Sequence, residues 1–199
     1  VTNTSATGGY LVPSSPPPAE DDGLEDQIKL MIQGITGFDP NFVRPRWQPT
    51  PPKQPPANAN WCAFGVTRQD PDTYASIVHD GTGDGTDTAI RHETIEILAS
   101  FYGPAGQGYA AMLRDGLMIP QNREALYANG MALYDAMEII AAPDLTNTQW
   151  IRRYDLTVRL RRRVERTYPV LNLLSAEGTI ETQNATNTNS QDWETPQES

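Results

Sequence analysis

Apolar residues recur along this chain in two periods. Over LEDQIKLMIQGITG, residues Leu24, Ile28, Met31, Ile32 and Ile35 follow close to the i, i+4, i+7, i+8 spacing of one helix face. Asp21 and Asp22 precede this stretch, and Glu25 and Asp26 fall in its first turn, where acids complement the helix dipole. Gly34 and Gly37 suit its end. From Trp61 the period shortens to two. WCAFGVTR sets Cys62, Phe64 and Val66 on one side and Trp61, Ala63 and Gly65 on the other, which predicts a strand. TYASIVHD predicts a second strand beyond the turn-like DPD, and RHETIEILASFYG a third. In the third, Ile95, Ile97, Ala99 and Phe101 share one face and Thr94, Glu96 and Ser100 the other, with Leu98 the exception.

Pro104 suits the first turn of a helix striped by Tyr109, Met112, Leu113, Leu117 and Met118, which Pro120 breaks. NREALYANG predicts a shorter helix ending at Gly130, and MALYDAMEIIAA a fourth strand. WIRRYDLTVRLRRRVERTY predicts a long fifth strand. Tyr154, Leu156, Val158, Leu160 and Val164 face one way, and Arg153, Asp155, Thr157, Arg159, Arg161 and Arg163 the other. The three consecutive strands should be antiparallel neighbours with the helices on one face. The expected fold is an α+β two-layer sandwich, a mainly antiparallel sheet of about five strands packed by two to three helices, with extended N- and C-terminal arms.

Three stretches lack this patterning. Residues 1–23 run through VPSSPPPAEDDG, polyproline-like and then acidic, and read as an N-terminal arm. Residues 40–60 carry six prolines between Pro45 and Pro56. Proline removes backbone donors, so this segment is neither helix nor central strand and should run extended over the surface, with Trp47 as an anchor. Residues 176–199 form a polar acidic C-terminal arm: from Thr179 onward 13 residues are Asn, Thr, Gln or Ser, with four acids and no base. Such a segment buries too little apolar surface to offset its ordering entropy, so neighbouring chains are the simplest support for both arms. The domain between them spans residues 24–175.

Composition narrows the function classes. The 199 residues include 25 acids against 15 bases, a formal charge of −10, and only 38% are apolar. An acidic chain of this kind is not a general DNA-coating protein. No apolar run nears the roughly 18 residues of a membrane span, and no basic-then-apolar secretory signal is visible. The single Cys62 excludes an internal disulfide framework, a zinc ribbon and a CxxC redox pair, and fits a reducing compartment. It sits in an apolar strand and reads as a small buried hydrophobe.

Candidate chemistry concentrates in two places. DGTGDGTD places Asp80, Asp84 and Asp87 in a glycine-rich loop, but the spacing matches neither an EF-hand nor a calcium-binding repeat. It reads as a hairpin tip. His79 and His92 flank the loop and, with Asp80 or Glu93, could form a metal or acid–base site, although no third ligand is set by spacing. Neither a GxSxG nor a Walker A pattern occurs. The second place is the arginine strand: seven of the 15 bases lie between Arg152 and Arg166. Arg153, Arg159, Arg161 and Arg163 could pair with acids on adjacent strands such as Glu96 or Glu138, pair with acidic arms of neighbouring subunits, or contact nucleic acid. The net charge disfavours the last.

Several segments together resemble the neck and tail terminator proteins of tailed bacteriophages: SATGGYLVP, VRPRWQPTPPKQPP, WCAFGVTR, HDGTGDGTDT, RHETIEILASFYGP, LRDGLMIPQNREAL and WIRRYDLTVRLRRRVERTYPVL. The resemblance runs from about Ser5 to Leu174 and is carried by the combination and order of these strings. It implies a virion structural protein of the tail or neck, made in the host cytoplasm, with an α/β sandwich fold. It implies a ring, commonly a homohexamer, at the head-proximal end of the tail, ending the tail tube and joining it to the head connector. The implied partners are further copies of the chain, the tail-tube protein and connector or adaptor proteins, with genomic DNA passing through the lumen unbound and no membrane. No catalytic residue, cofactor or metal is implied. The interaction residues expected from the sequence are Asp80, Asp84, Asp87, Arg153, Arg159, Arg161, Arg163 and Trp47. The alternatives are a nucleic-acid-binding module using the Arg153–Arg163 strand and a metal-dependent enzyme using His79, Asp80, Asp84 and His92.

Overall fold

The computed structural model describes residues 3–146, 148–173, 177–184 and 187–194. Of the two expected arms, residues 1–2, 176, 185–186 and 195–199 therefore lie outside the described residues.

The first helix, α1 (Asp22–Thr36), forms where the apolar spacing predicts. It stops where Gly37 adopts a left-handed φ of 71° and donates its N–H to the Gln33 carbonyl. Its inner face buries Leu24, Ile28, Met31 and Ile32. Thr36 is buried too, because its hydroxyl donates to the Ile32 carbonyl at 2.6 Å and is not orphaned. A 3₁₀ turn (Pro40–Phe42) leads into β1 (Val43–Pro45), a strand the proline-rich pattern concealed. It is three residues long and pairs in parallel with β2 (Trp61–Pro71), Val43 facing Cys62. β1 lies at the sheet edge, where a proline is tolerated because no second neighbour needs its missing N–H.

The chain continues through β3 (Ser76–Asp80), β4 (Thr86–Tyr102), α2 (Gly106–Gly116), a 3₁₀ turn (Pro120–Arg123) and α3 (Glu124–Ala128). Then come β5 (Met131–Ala141), the small hairpin β6 (Asp144–Thr146) and β7 (Gln149–Ile151), and β8 (Arg153–Tyr168). The main sheet runs β1-β2-β4-β8-β5, with β3 also paired to β4. β3 does not separate β2 from β4, as consecutive neighbours would. β4 is 17 residues long, and its Glu93–Tyr102 portion pairs directly and antiparallel with β2. The C-terminal polar segment forms an antiparallel pair, β9 (Glu177–Asn184) with β10 (Asn187–Glu194), where only an unpatterned arm was expected. Its threonines and asparagines give no alternating apolar signal, so the pairing is invisible to periodicity.

The chain divides into two compact units: a larger one of Pro16–Ile77 and Ala89–Arg166, and a smaller one of Val1–Ser15, Val78–Thr88 and Thr167–Ser199. In the larger unit the three helices contribute Ile28, Ile32, Leu113 and Leu126 to a core that meets Phe64, Ile97, Phe101, Leu156, Val158 and Leu160 from one sheet face. The expected core residues Ile95, Ile97, Phe101, Leu156, Val158 and Leu160 are fully buried. Val66 is only half-buried, because a register shift between Val66 and Arg68 turns β2 outward there. Phe38 closes the core by stacking on Tyr109 at a centroid distance of 4.1 Å. Among the described residues no helix is long and apolar enough to cross a membrane.

Candidate interaction surfaces

The sheet face opposite the helices in the larger unit is a web of ion pairs. Strand alternation sends Arg153, Asp155, Arg159 and Arg161 there, as the sequence predicts. Their partners are not Glu96 or Glu138. Arg153 grips Asp155, two residues along its own strand, with Nε–Oδ1 2.8 Å and Nη2–Oδ2 2.6 Å, and also reaches Asp144 at 3.4 Å. Arg159 makes a two-pronged contact with Asp135, its cross-strand partner on β5, at 2.9 and 2.7 Å. Arg161 reaches Asp72 in the β2–β3 connection at 2.5 Å and Thr94 at 3.3 Å. Arg163 pairs with Glu165. Glu96 lies within 3.4 Å of the Thr67 hydroxyl. The register of β5 and the path of a connection, neither legible in a single strand, chose the acids. The hydrogen bond to Arg161 holds the Asp72 carboxyl below the usual carboxylate range. Each of Arg153, Arg159, Arg161 and Arg163 thus has a carboxylate partner within the chain.

Sequence reading missed Arg162. Its even position puts it among the core-facing residues of β8, where it is buried. Glu93 meets it there at 2.8 Å from Nε and 2.5 Å from Nη2. Nη1 donates to the Ala19 carbonyl at 2.5 Å, and Arg166 binds the Glu20 carboxylate at 2.7 Å. A buried charge persists only when paired and hydrogen-bonded, and here the pairing also fixes the acidic end of the polyproline stretch. An arginine breaking the apolar alternation of β8 was the available signal.

Trp47, expected to anchor the proline-rich segment, is surface-exposed. It adopts a left-handed φ of 56°, and its ring covers Gly65: a Cβ there would sit 2.6 Å from the ring. Beside it Trp61 stacks on Tyr102 at 4.3 Å, with the Arg44 guanidinium 5.9 Å from the Trp61 ring and Arg153 6.0 Å from the Tyr102 ring.

In the smaller unit the acidic loop is an ordered knot. Asp80 accepts from the Thr82 N–H at 2.9 Å, which lowers its carboxyl from the ordinary value. Asp84 accepts the Asn172 N–H on its backbone carbonyl at 2.9 Å. Asn172 donates its side-chain amide to the carbonyls of Gly81 (2.7 Å) and Gly83 (3.1 Å), which fixes its orientation and turns Oδ1 toward His79 Nε2 at 2.6 Å. Asp87 lies 2.6 Å from His79 Nδ1. Both ring nitrogens face acceptors, an arrangement that favours the protonated ring, which donates from both. The Asp87 contact, and then the Asn172 contact, raise the His79 pKa. Among the described residues no three His, Cys, Asp or Glu side chains gather as a metal site. Burial pushes the Cys62 thiol far up, as suits an inert core residue. The N-terminal arm finds partners in its own chain: Ser14 N–H donates to the Thr167 carbonyl at 2.8 Å and Leu171 N–H to the Ser5 hydroxyl at 2.7 Å.

These surfaces hold paired charges, exposed aromatics and ordered loops. A search of curated proteins finds no match. A family model described as phage neck terminator protein matches residues 22–192 of the 199, and the chain belongs to that family of bacteriophage structural proteins.

Proposed function

We propose that the chain assembles into a ring, a homohexamer, at the head-proximal end of the phage tail or neck, where it ends the tail tube and joins it to the head connector. The observation that carries this reading is the apolar outer margin of the larger unit. β5 is the last strand of the main sheet, and along it and the adjoining β6–β7 hairpin Tyr134, Met137, Ile140, Leu145 and Trp150 are all exposed. Leu145 and Trp150 are direct cross-strand partners. A sheet edge with unpaired backbone groups is a template for another chain, and monomers ordinarily blunt it with charge. Here it carries large apolar side chains, the mark of a protein–protein contact. A second copy is the occupant that a ring supplies. Asp80, Asp84, Asp87 and the arginine face then set register against neighbouring proteins. Exposed pairs contribute about 0–1 kcal/mol each, so their role is specificity. An acidic subunit suits a lumen through which DNA slides unbound. The role needs no catalysis and no cofactor, and places the protein in the virion after synthesis in the host cytoplasm.

Sedimentation of the purified protein tests this, alone and mixed with the tail-tube protein. Rings are expected for the wild type, and single subunits with an unchanged melting temperature for Met137→Glu combined with Trp150→Ser. A wild type that stays monomeric under both conditions would sink the proposal.

A further inference from the structure

We propose that the groove between the proline-rich segment and the first two strands docks an extended, acidic, proline-bearing segment of a neighbouring protein. The groove, about 320 Å³, has Arg44, Arg46, Trp47, Trp61, Pro51 and Pro52 among its lining residues. It goes beyond the ring reading, on which it rests only in taking the partner to be a protein.

Charge is the first argument. In a chain with 25 acids and 15 bases, no acid lines this groove. The arginines of β8 at 153, 159, 161, 162, 163 and 166 each hold a carboxylate. Among the described residues, Arg44 and Arg46 have none within ion-pair distance. Arg44 donates to the carbonyls of Asn41 (2.8 Å) and Lys53 (2.7 Å). Arg46 donates to the Ser100 hydroxyl, which passes the contact on to Asp155, and its buried Nε has no partner. Two guanidinium groups held by neutral acceptors keep their charge for an incoming carboxylate.

The second argument is the aromatic floor. Trp47 keeps a left-handed backbone, a strained conformation for a non-glycine residue, and yet the residue is 70% exposed. Strain of this kind persists where the surroundings over-determine it, often at ligand clamps. Here Gly65 supplies the recess. The walls indicate the ligand's conformation. Pro45, Pro51 and Pro52 have no N–H, so the wall cannot add a β-strand to itself. A polyproline-type ligand, with a solvated backbone and apolar rings to lay on tryptophan, needs no such ladder. The molecule contains its own precedent: Arg162 and Arg166 hold the Ala19 carbonyl and the Glu20 carboxylate just after Pro16–Pro18.

Titration calorimetry with two synthetic peptides tests the proposal: SPPPAEDDG, the sequence of residues 15–23, and its neutral counterpart SPPPAQNNG. The acidic peptide is expected to bind at least tenfold more tightly. Trp47→Ala, which leaves both cations, and Arg44→Gln with Arg46→Gln, which leaves the aromatic floor, should each weaken it at least tenfold. Leu30→Ala on the exposed face of α1 should have no effect. Melting curves show that each variant folds. Equal binding of the two peptides, or no binding of either, overturns the proposal. Tighter binding of a twelve-residue oligothymidine, lost in Trp47→Ala, would make the groove a nucleic-acid surface and overturn it as well. Sedimentation of the same proteins separates the two readings: rings without peptide binding refute only the groove, and peptide binding by a permanent monomer refutes only the ring.

Discussion

The two units are held together by different forces. In the larger unit, residues from α1, α2, α3, β2, β4, β5 and β8 bury a continuous apolar core, and the two buried charges among the described residues, Arg162 and Glu93, pair with each other. In the smaller unit no described apolar side chain is buried. Its order comes from hydrogen bonds: Asn172 to the glycine loop, His79 to Asp87 and Asn172, and Ser5 and Ser14 to the 167–171 segment. Apolar burial contributes about 25 cal/mol per Å² whatever the pH, whereas each hydrogen bond exchanged with water contributes only about 0.5–1.5 kcal/mol. The larger unit should therefore behave as a cooperative, pH-tolerant scaffold, and the smaller as a local structure that opens at low cost and responds to protonation.

The harshest test strikes the larger unit at its charge. Arg162→Ala leaves Glu93 buried without its partner and should cost about 3–5 kcal/mol in a denaturant titration. Replacing both residues by apolar ones of similar volume should recover much of that loss. If the single change costs under about 1 kcal/mol, the pair is not the buried clamp described. Next comes the core: Leu156→Ala should lose about 2–5 kcal/mol, and a change below about 0.5 kcal/mol would place Leu156 outside it.

The comparison predicts smaller, local effects in the other unit. Gly85 adopts a φ of 93°, and a Cβ there would lie 2.6 Å from Asn172 Oδ1 and 2.7 Å from its backbone nitrogen. Gly85→Ala should loosen the knot by roughly 1–3 kcal/mol, seen as faster exchange of the Asn172 amide while the core amides of β4 keep their protection. Loss of protection in both would mean that the units unfold together. The pH response should be gentler. His79 is raised above 6.5 by Asp87 and Asn172, so its contribution is fully present below that value and declines as pH rises through the raised one. Protection of the Asn172 amide, corrected for intrinsic exchange, should fall as pH rises above 6.5, and His79→Gln should flatten the profile. A profile unchanged by that substitution would assign the response elsewhere. The smallest effect is expected from deleting residues 177–199: within about 0.5 kcal/mol for the larger unit, as for ordinary surface changes.

The contrast between units also marks where the sequence was legible. Ile95, Ile97, Phe101, Leu156 and Leu160 announced themselves because a strand buried on one face must alternate, and α1 did so because a helix must repeat near 3.6. β1 did not, since three residues beside six prolines make no period, and its strand character comes only from pairing with β2. The β6–β7 hairpin was hidden for the same reason of length. The arginine face was legible as a face, but its carboxylates were not, because Asp135 and Asp72 reach it through the register of β5 and the path of the β2–β3 connection.

Local rules acting between near neighbours in the chain were enough for the two-layer α+β fold, its core, its acidic character and the family resemblance. Tertiary structure alone decided which acid meets which arginine, that Arg162 turns inward to Glu93, that Trp47 settles on Gly65, and that Asn172 crosses 91 residues to bind Gly81. Those choices join residues far apart in sequence, and no periodic pattern can encode them. They follow from which surfaces the packed core leaves within hydrogen-bonding reach of each other.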